Sequence, residues 1–183
     1  RLGVSYLATI TGLGTVFILE NSVTKLVEIM YKVAFRKADK VFFQNSTDQA
    51  LFESRGLVKN TEVRSVPGSG INIDAFQYEP IRQKKVSEPF VFLMMARLLW
   101  DKGIMEFVEA AKEIRKVNNN VECRLLGPIV RDNPTAISED ELKESVTTGG
   151  VTYLGSTRNV KEHLLDADCV VLPSYREGLA RVL

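Results

Sequence analysis

Apolar and polar positions along this chain switch repeatedly between the period of a strand and the period of a helix. The run VSYLATI, Val4 to Ile10, reads as a strand followed by the glycine-bearing loop TGLG. From Ser22 to Ala38, the apolar residues Val23, Leu26, Val27, Met30, Val33 and Ala34 recur with the 3.6-residue period of an amphipathic helix. KVFFQN is a short buried strand. Ser46 and Gln49 have the spacing of a capping box, predicting a helix through about Arg55 that Gly56 stops. VRSVPGSGIN supplies a short strand and a Pro/Gly turn. The residues that follow, through about Glu88, show no period and read as a crossing loop or linker.

FVFLMMA is the next strand. Gly103 to Val117 is a helix with its apolar face on Ile104, Phe107, Val108, Ala111 and Ile114. ECRLLG is a strand, Ser138 with Glu141 caps a short helix, VTYLG is a strand, Asn159 opens a helix through Ala167, and DCVVLPS is a strand. From residue 90 onward this is β-α-β-α-β-α-β, the order of a doubly wound parallel sheet with right-handed crossovers. The chain thus reads as two α/β pieces, residues 1–79 with a linker and residues 80–183. Each is expected to be a truncated domain: the first has few strands, and the second stops at the start of a helix. The opening at Arg1 and the closing run GLARVL fit that expectation.

Composition narrows the partners. At 183 residues, with 45% hydrophobic and 26% charged side chains, there is material for a substantial core. A net charge of +1 removes any strong whole-chain attraction for nucleic acid or acidic surfaces. No apolar run approaches the ~18 to 20 residues that span a bilayer, and no secretory signal is visible. Cys123 and Cys169 sit in apolar strand-like runs and read as buried thiols of a reducing cytoplasm, the alternatives being a disulfide or a metal pair. One histidine, His163, in mid-helix and with no Cys/His cluster, argues against a zinc site and against a general base.

In open α/β sheets, ligands bind beyond the carboxyl ends of the strands. After FVFLMMA come Arg97 and then Lys102, immediately before a helix. Two cations beside a helix N-terminus suit a diphosphate, since the helix adds N–H donors and a positive dipole end. The alternative is a solvated basic loop. After DCVVLPS come Tyr175, Arg176, Glu177 and Gly178. Glu177 can accept hydrogen bonds from sugar hydroxyls, or it can cap a last helix as the partner of Ser174. Gly12 and Gly14 of TGLG, with Gln44 and Asn45, follow strands of the first piece and are placed to line a cleft.

Together these segments resemble a known family. ARLLWDKGIMEFVEAAKEI looks like the signature of retaining GT-B glycosyltransferases of family 4, and ADCVVLPSYREGLARVL looks like the stretch that opens their Glu-x7-Glu motif. KADKVFFQNSTDQALF, VPGSGIN and ITGLGTVF match the same family in the expected order. The resemblance implies two Rossmann-like domains facing a cleft, with the donor on the C-terminal domain and most of the acceptor site on the N-terminal one. By position, Arg97 and Lys102 would hold the donor diphosphate and Glu177 would contact the transferred sugar. The N–H groups of Gly178 and Leu179 would assist, and Gly12, Gly14 and Asn45 would lie on the acceptor side. No metal and no cofactor are implied, the nucleotide-sugar being a substrate.

The run RDNPTAISEDEL before VTYLGSTRNVKEHLLDADCVVLPSYREG resembles a narrower subgroup that extends polyprenyl-diphosphate-linked oligosaccharides from UDP donors. It implies transfer of an N-acetylhexosamine or hexose in cell-surface polysaccharide (capsule or O-antigen) or glycoconjugate synthesis, in the cytoplasm at the inner face of the membrane. Peripheral association through Lys25, Lys32, Arg36, Lys37 and Lys40 is one reading of that helix, and a solvated face is the other. Two departures from the family pattern matter: the second Glu of the motif falls beyond Leu183, and the family's N-terminal glycine-rich loop and the histidine near the reacting sugar fall upstream of Arg1. In addition, Ala180 stands where proline is common, a mild loop effect. This chain alone is therefore expected to be inactive. A non-catalytic nucleotide-sugar binding module and a GT-B epimerase are the competing readings.

Overall fold

The computed structural model describes residues 4–80, 83–180 and 182. Contacts group the chain into two compact units, Arg1–Ile71 with Arg176–Arg181 and Asn72–Tyr175 with Val182–Leu183.

In the first unit, β1 (Leu7–Ile10), α1 (Ser22–Phe35), β2 (Lys40–Phe43), α2 (Ser46–Ser54) and β3 (Glu62–Ser65) build a parallel sheet in the order β1-β2-β3. A short 3-10 turn, Thr15–Phe17, precedes α1. β1 is shorter than the apolar run suggests because the ladder begins at Leu7 opposite Lys40. One residue earlier, the Tyr6 N–H donates to the Asp39 carboxylate at 2.8 Å instead. The core is aromatic: Phe52 meets Tyr31 and Phe43 edge-on at centroid distances of 5.0 and 5.2 Å, with Phe17 and Phe35 around it.

The packing of α1 departs from the rule for surface helices, whose apolar stripe ordinarily faces the core. Val23, Leu26, Ile29, Met30 and Val33 are 55–71% exposed. The helix instead packs through Thr24 and Phe35, with Val27 and Tyr31 partly buried behind them. Two local anchors select this face. Asn21 caps the helix in a reciprocal box with Thr24, whose hydroxyl also donates to the Val16 carbonyl at 2.7 Å. Arg55, just past α2, pairs with Glu20 and Glu28.

The cap of α2 also differs from the expected Ser46–Gln49 box. Asn45 is the N-cap, its Oδ1 accepting from the Asp48 N–H at 2.7 Å.

The second unit contains β4 (Phe90–Met95), α3 (Ile104–Val117), β5 (Val121–Leu126), α4 (Glu139–Gly149), β6 (Val151–Tyr153), α5 (Val160–Asp166) and β7 (Cys169–Val170). The sheet is parallel throughout, in the order β6-β5-β4-β7. Here pattern and packing agree: Ile104, Phe107, Val108 and Ala111 of α3 are buried against Met94, Cys123 and Leu125. The capping box of Ser138 and Glu141 forms as predicted. Cys123 and Cys169 are free thiols, both in register with Phe92 but on opposite sides of β4. At about 4.8 Å per strand they stand too far apart for a disulfide.

At the start of β7, burial alone would raise the Asp168 carboxyl. The Lys84 ammonium and the Val91 N–H, which donates at 2.7 Å, hold it below its ordinary value instead. The described residues between Pro67 and Glu88 form neither helix nor strand. Among the described residues, no helix is long and apolar enough to cross a membrane.

Candidate functional site

The strand order of the second unit decides where a ligand can sit. Crossovers from β4 run outward through β5 to β6, and the chain then returns to pair β7 on the other side of β4. The carboxyl ends of β4 and β7 therefore flank a topological switch point, the place where open parallel sheets bind ligands.

The loop after β4 carries the two predicted cations. Arg97 is exposed and Lys102 is half-buried. Between them, Leu98 and Leu99 are fully buried and tie the loop down. The Leu98 N–H donates to the Pro128 carbonyl at 3.1 Å, the Ile137 N–H donates to the Leu98 carbonyl at 3.1 Å, and the Trp100 N–H donates to the Thr135 carbonyl at 2.8 Å. The Thr135 hydroxyl also reaches the Asp101 carboxylate at 2.9 Å. The segment 128–137 is thus a brace for the basic loop.

A single turn of 3-10 helix, Trp100–Lys102, ends at Gly103, which has φ 76° and serves as the N-cap of α3. Glycine is required here twice over: by that left-handed backbone and by the Pro173 carbonyl, which occupies the space a Cβ would need. The loop after β7 packs onto the same turn. The Tyr175 N–H donates to the Asp101 carbonyl at 3.0 Å, and the Tyr175 hydroxyl donates to Glu106 in the first turn of α3. That bond and the charge of Glu106 raise the Tyr175 hydroxyl above its usual range. Ser174 Oγ on this loop is buried and has no hydrogen-bond partner among the described residues.

The first unit assembles a second cluster. Asp48 in α2 is a buried carboxylate, and Arg176 pairs with it at 2.6 Å. Asn45 Nδ2 donates both to Asp48 at 3.1 Å and to the Gly178 carbonyl at 2.8 Å. Gly178 lies against the Thr11 carbonyl so closely that a Cβ would overlap it, and Gly12 is adjacent. Leu179, which is exposed, packs over Gly68.

The structure therefore brings the predicted residues together in two sets. Arg97 and Lys102 share one braced loop of the second unit. Gly178 meets Gly12 and Asn45 in the first unit, with the half-buried Glu177 and with Leu179 as its chain neighbours. Gly14 takes a left-handed φ of 61° at the entry to the 3-10 turn. His163 is half-buried in α5, away from both loops in sequence and topology. The helix that Ser174 and Glu177 were read as able to cap does not form over residues 176–180. Arg181 and Leu183 lie outside the described residues.

Two participants escaped the sequence reading, Asp48 and Arg176. Asp48 has the position of an ordinary first-turn acid, and nothing local marks a partner 128 residues away.

The parallel α/β sheets of this chain have the fold of GT-B glycosyltransferases. Solved structures with this fold include Anabaena HepE in complex with UDP, with a TM-score of 0.72 at 20% identity over 97% of this chain and 49% of that one. The alpha,alpha-trehalose 6-phosphate synthase of Burkholderia multivorans superposes with a TM-score of 0.65 at 16% identity over 96% and 47%.

Residues 77–183 match the family described as glycosyl transferases group 1, and the chain belongs to that family. It is 31% identical to the N,N'-diacetylbacillosaminyl-diphospho-undecaprenol alpha-1,3-N-acetylgalactosaminyltransferase of Campylobacter jejuni, over 93% of this chain and 46% of that protein. It is 25% identical to an uncharacterized glycosyltransferase of Methanocaldococcus jannaschii, over 87% of this chain and 40% of that protein. The chain thus spans a little under half the length of these relatives.

Proposed function

We propose that this chain is the central part of a retaining hexosyltransferase that moves a hexose or N-acetylhexosamine from a UDP-sugar to a saccharide acceptor, one linked to a polyprenyl diphosphate. The observation that carries the reading is the braced basic loop at the switch point of a group 1 glycosyltransferase. The Campylobacter relative, named for a diphospho-undecaprenol acceptor, supports the lipid-linked substrate, and the UDP held by HepE supports the nucleotide.

Each residue then has a chemical part. Arg97 grips two diphosphate oxygens in a fork, and Lys102 adds a point charge beside the α3 N-terminus. Both stabilise the charge that grows on the leaving UDP, with no bound metal in this scheme. Glu177 accepts hydrogen bonds from the transferred sugar, and the Gly178 and Leu179 N–H groups assist in donor binding. Gly12 and Gly14 border the acceptor, while Asn45 holds Gly178 in place. Transfer takes place in the cytoplasm, where the lipid-linked acceptor presents its sugar at the membrane.

Calorimetric titration with UDP tests the donor part. Arg97→Ala and Lys102→Ala should each weaken binding about tenfold, as expected for a charge-assisted hydrogen bond. UDP affinity unchanged in both variants would sink the assignment. Incubating the full-length protein with UDP-N-acetylgalactosamine and a polyprenyl-diphosphate-linked saccharide tests the reaction, and an inverted anomeric product would rule out the retaining course.

A further inference from the structure

Asp48 carries a charge where water does not reach. It sits in the first turn of α2 and is 1% exposed, and a buried carboxylate is tolerated only when it is paired and hydrogen-bonded. Arg176 supplies the pair: its Nε and Nη2 both donate to Asp48 Oδ1, at 3.2 and 2.6 Å. Asn45 Nδ2 donates to the other carboxylate oxygen and to the Gly178 carbonyl. Capping α2 does not call for this carboxylate, because Asn45 Oδ1 already accepts from the Asp48 N–H as the N-cap.

The two side chains therefore grip residues 176–178 at both ends, Arg176 by its guanidinium and Gly178 by its carbonyl. Glu177 is the residue between. Packing fixes the same stretch: no Cβ fits at Gly178 against the Thr11 carbonyl, and the Leu179 side chain fills the space over Gly68. Lifting the segment away would leave the Asp48 charge buried without its cation. The backbone on which Glu177 stands is thus ordered by bonds internal to the first unit, so that a ligand need not order it.

We infer that Asp48 and Asn45 are positioning residues: through Arg176 and the Gly178 carbonyl they set Glu177 in place for the transferred sugar before the donor arrives. The inference rests on the reading of Glu177 as the sugar contact. A carboxylate fixed in advance serves the transition state better than one that must be ordered at each turnover.

The experiment compares Arg176→Lys, Asn45→Ser and Glu177→Gln in the full-length protein. Arg176→Lys keeps the charge but loses the two-nitrogen grip, and Asn45→Ser keeps a capping oxygen but shortens the link to Gly178. With UDP-N-acetylgalactosamine and a polyprenyl-diphosphate-linked saccharide, both should lower kcat at least about tenfold, since a misplacement of about 1 Å can cost about a hundredfold. UDP affinity in calorimetry should stay within about twofold of wild type. In the Glu177→Gln background, Arg176→Lys should cost no further activity, because both changes act through one carboxylate. Without any substrate, proteinase K should cut residues 176–180 several-fold faster in Arg176→Lys and at the wild-type rate in Glu177→Gln. Full activity of Arg176→Lys and Asn45→Ser overturns the inference. So do losses that multiply with Glu177→Gln, or cleavage that Arg176→Lys leaves unchanged. Full activity of Glu177→Gln would instead mark the failure of the sugar-contact reading, and the inference would fall with it.

Discussion

Two helices of equal length, α1 in the first unit and α3 in the second, make an instructive pair. Each has 14 residues, and each shows an apolar stripe with charges beside it. In α3 the stripe is the buried face, and Phe107 is 3% exposed. In α1 the stripe is the outer face, and the buried contacts come from a threonine and two aromatic residues. What separates them lies outside the helices. α3 leaves a glycine cap wedged under Pro173, between loops that leave one face no choice. α1 is held by the Asn21–Thr24 box and by a cluster of rings already centred on Phe52, where Tyr31 and Phe35 offer more contact area than Val or Met.

Substitutions can break the comparison. Phe107→Ala should lower the stability of its unit by about 3–5 kcal/mol, because it leaves a cavity in a close-packed core. Leu26→Ala in α1 should change stability by less than about 0.5 kcal/mol, as for an exposed position. Denaturant melts of both variants measure the contrast, and a comparable loss at Leu26 would mean that its stripe is covered. Arg176→Ala should come next, at about 3 kcal/mol, since it strands the buried Asp48 carboxylate. The same variant should loosen Gly178, seen as faster proteolysis at residues 176–180.

The smallest sizeable effect belongs to Asp168. Asp168→Asn should cost about 1 kcal/mol by weakening its bonds to Lys84 and Val91. The folded carboxyl titrates below its unfolded value of about 3.9, so this stabilisation is present above that pH. It is lost as pH falls through the lower, folded value. A pH series of melting temperatures should therefore show wild type and Asp168→Asn converging in acid. A gap that stays constant to pH 2 would separate the effect from ionisation.

Much of the second unit is legible in its residues. FVFLMMA, ECRLLG and VTYLG are apolar runs of strand length, the Ser138–Glu141 box caps a helix as read, and Arg97 and Lys102 fall where a strand enters a helix. The first unit is less legible. Asn45 takes the cap that Ser46 resembles, because the residue one step earlier has the extended backbone a cap needs. The pairing of Asp48 with Arg176, and of Asn45 with the Gly178 carbonyl, joins residues more than 120 positions apart. Short-range patterns carry no trace of such contacts.

Local physics is enough to determine what depends on near neighbours: which segments become strands or helices, that the sheets are parallel, and that a basic loop precedes a glycine-capped helix. It also sets the motifs by which residues 77–183 join the group 1 glycosyltransferases. Only the tertiary structure decided which face of α1 meets the core, which residues brace the Arg97–Lys102 loop, and where the Glu177–Leu179 segment docks. Those choices compare the burial of distant side chains against one another, and that comparison exists only once the chain is folded.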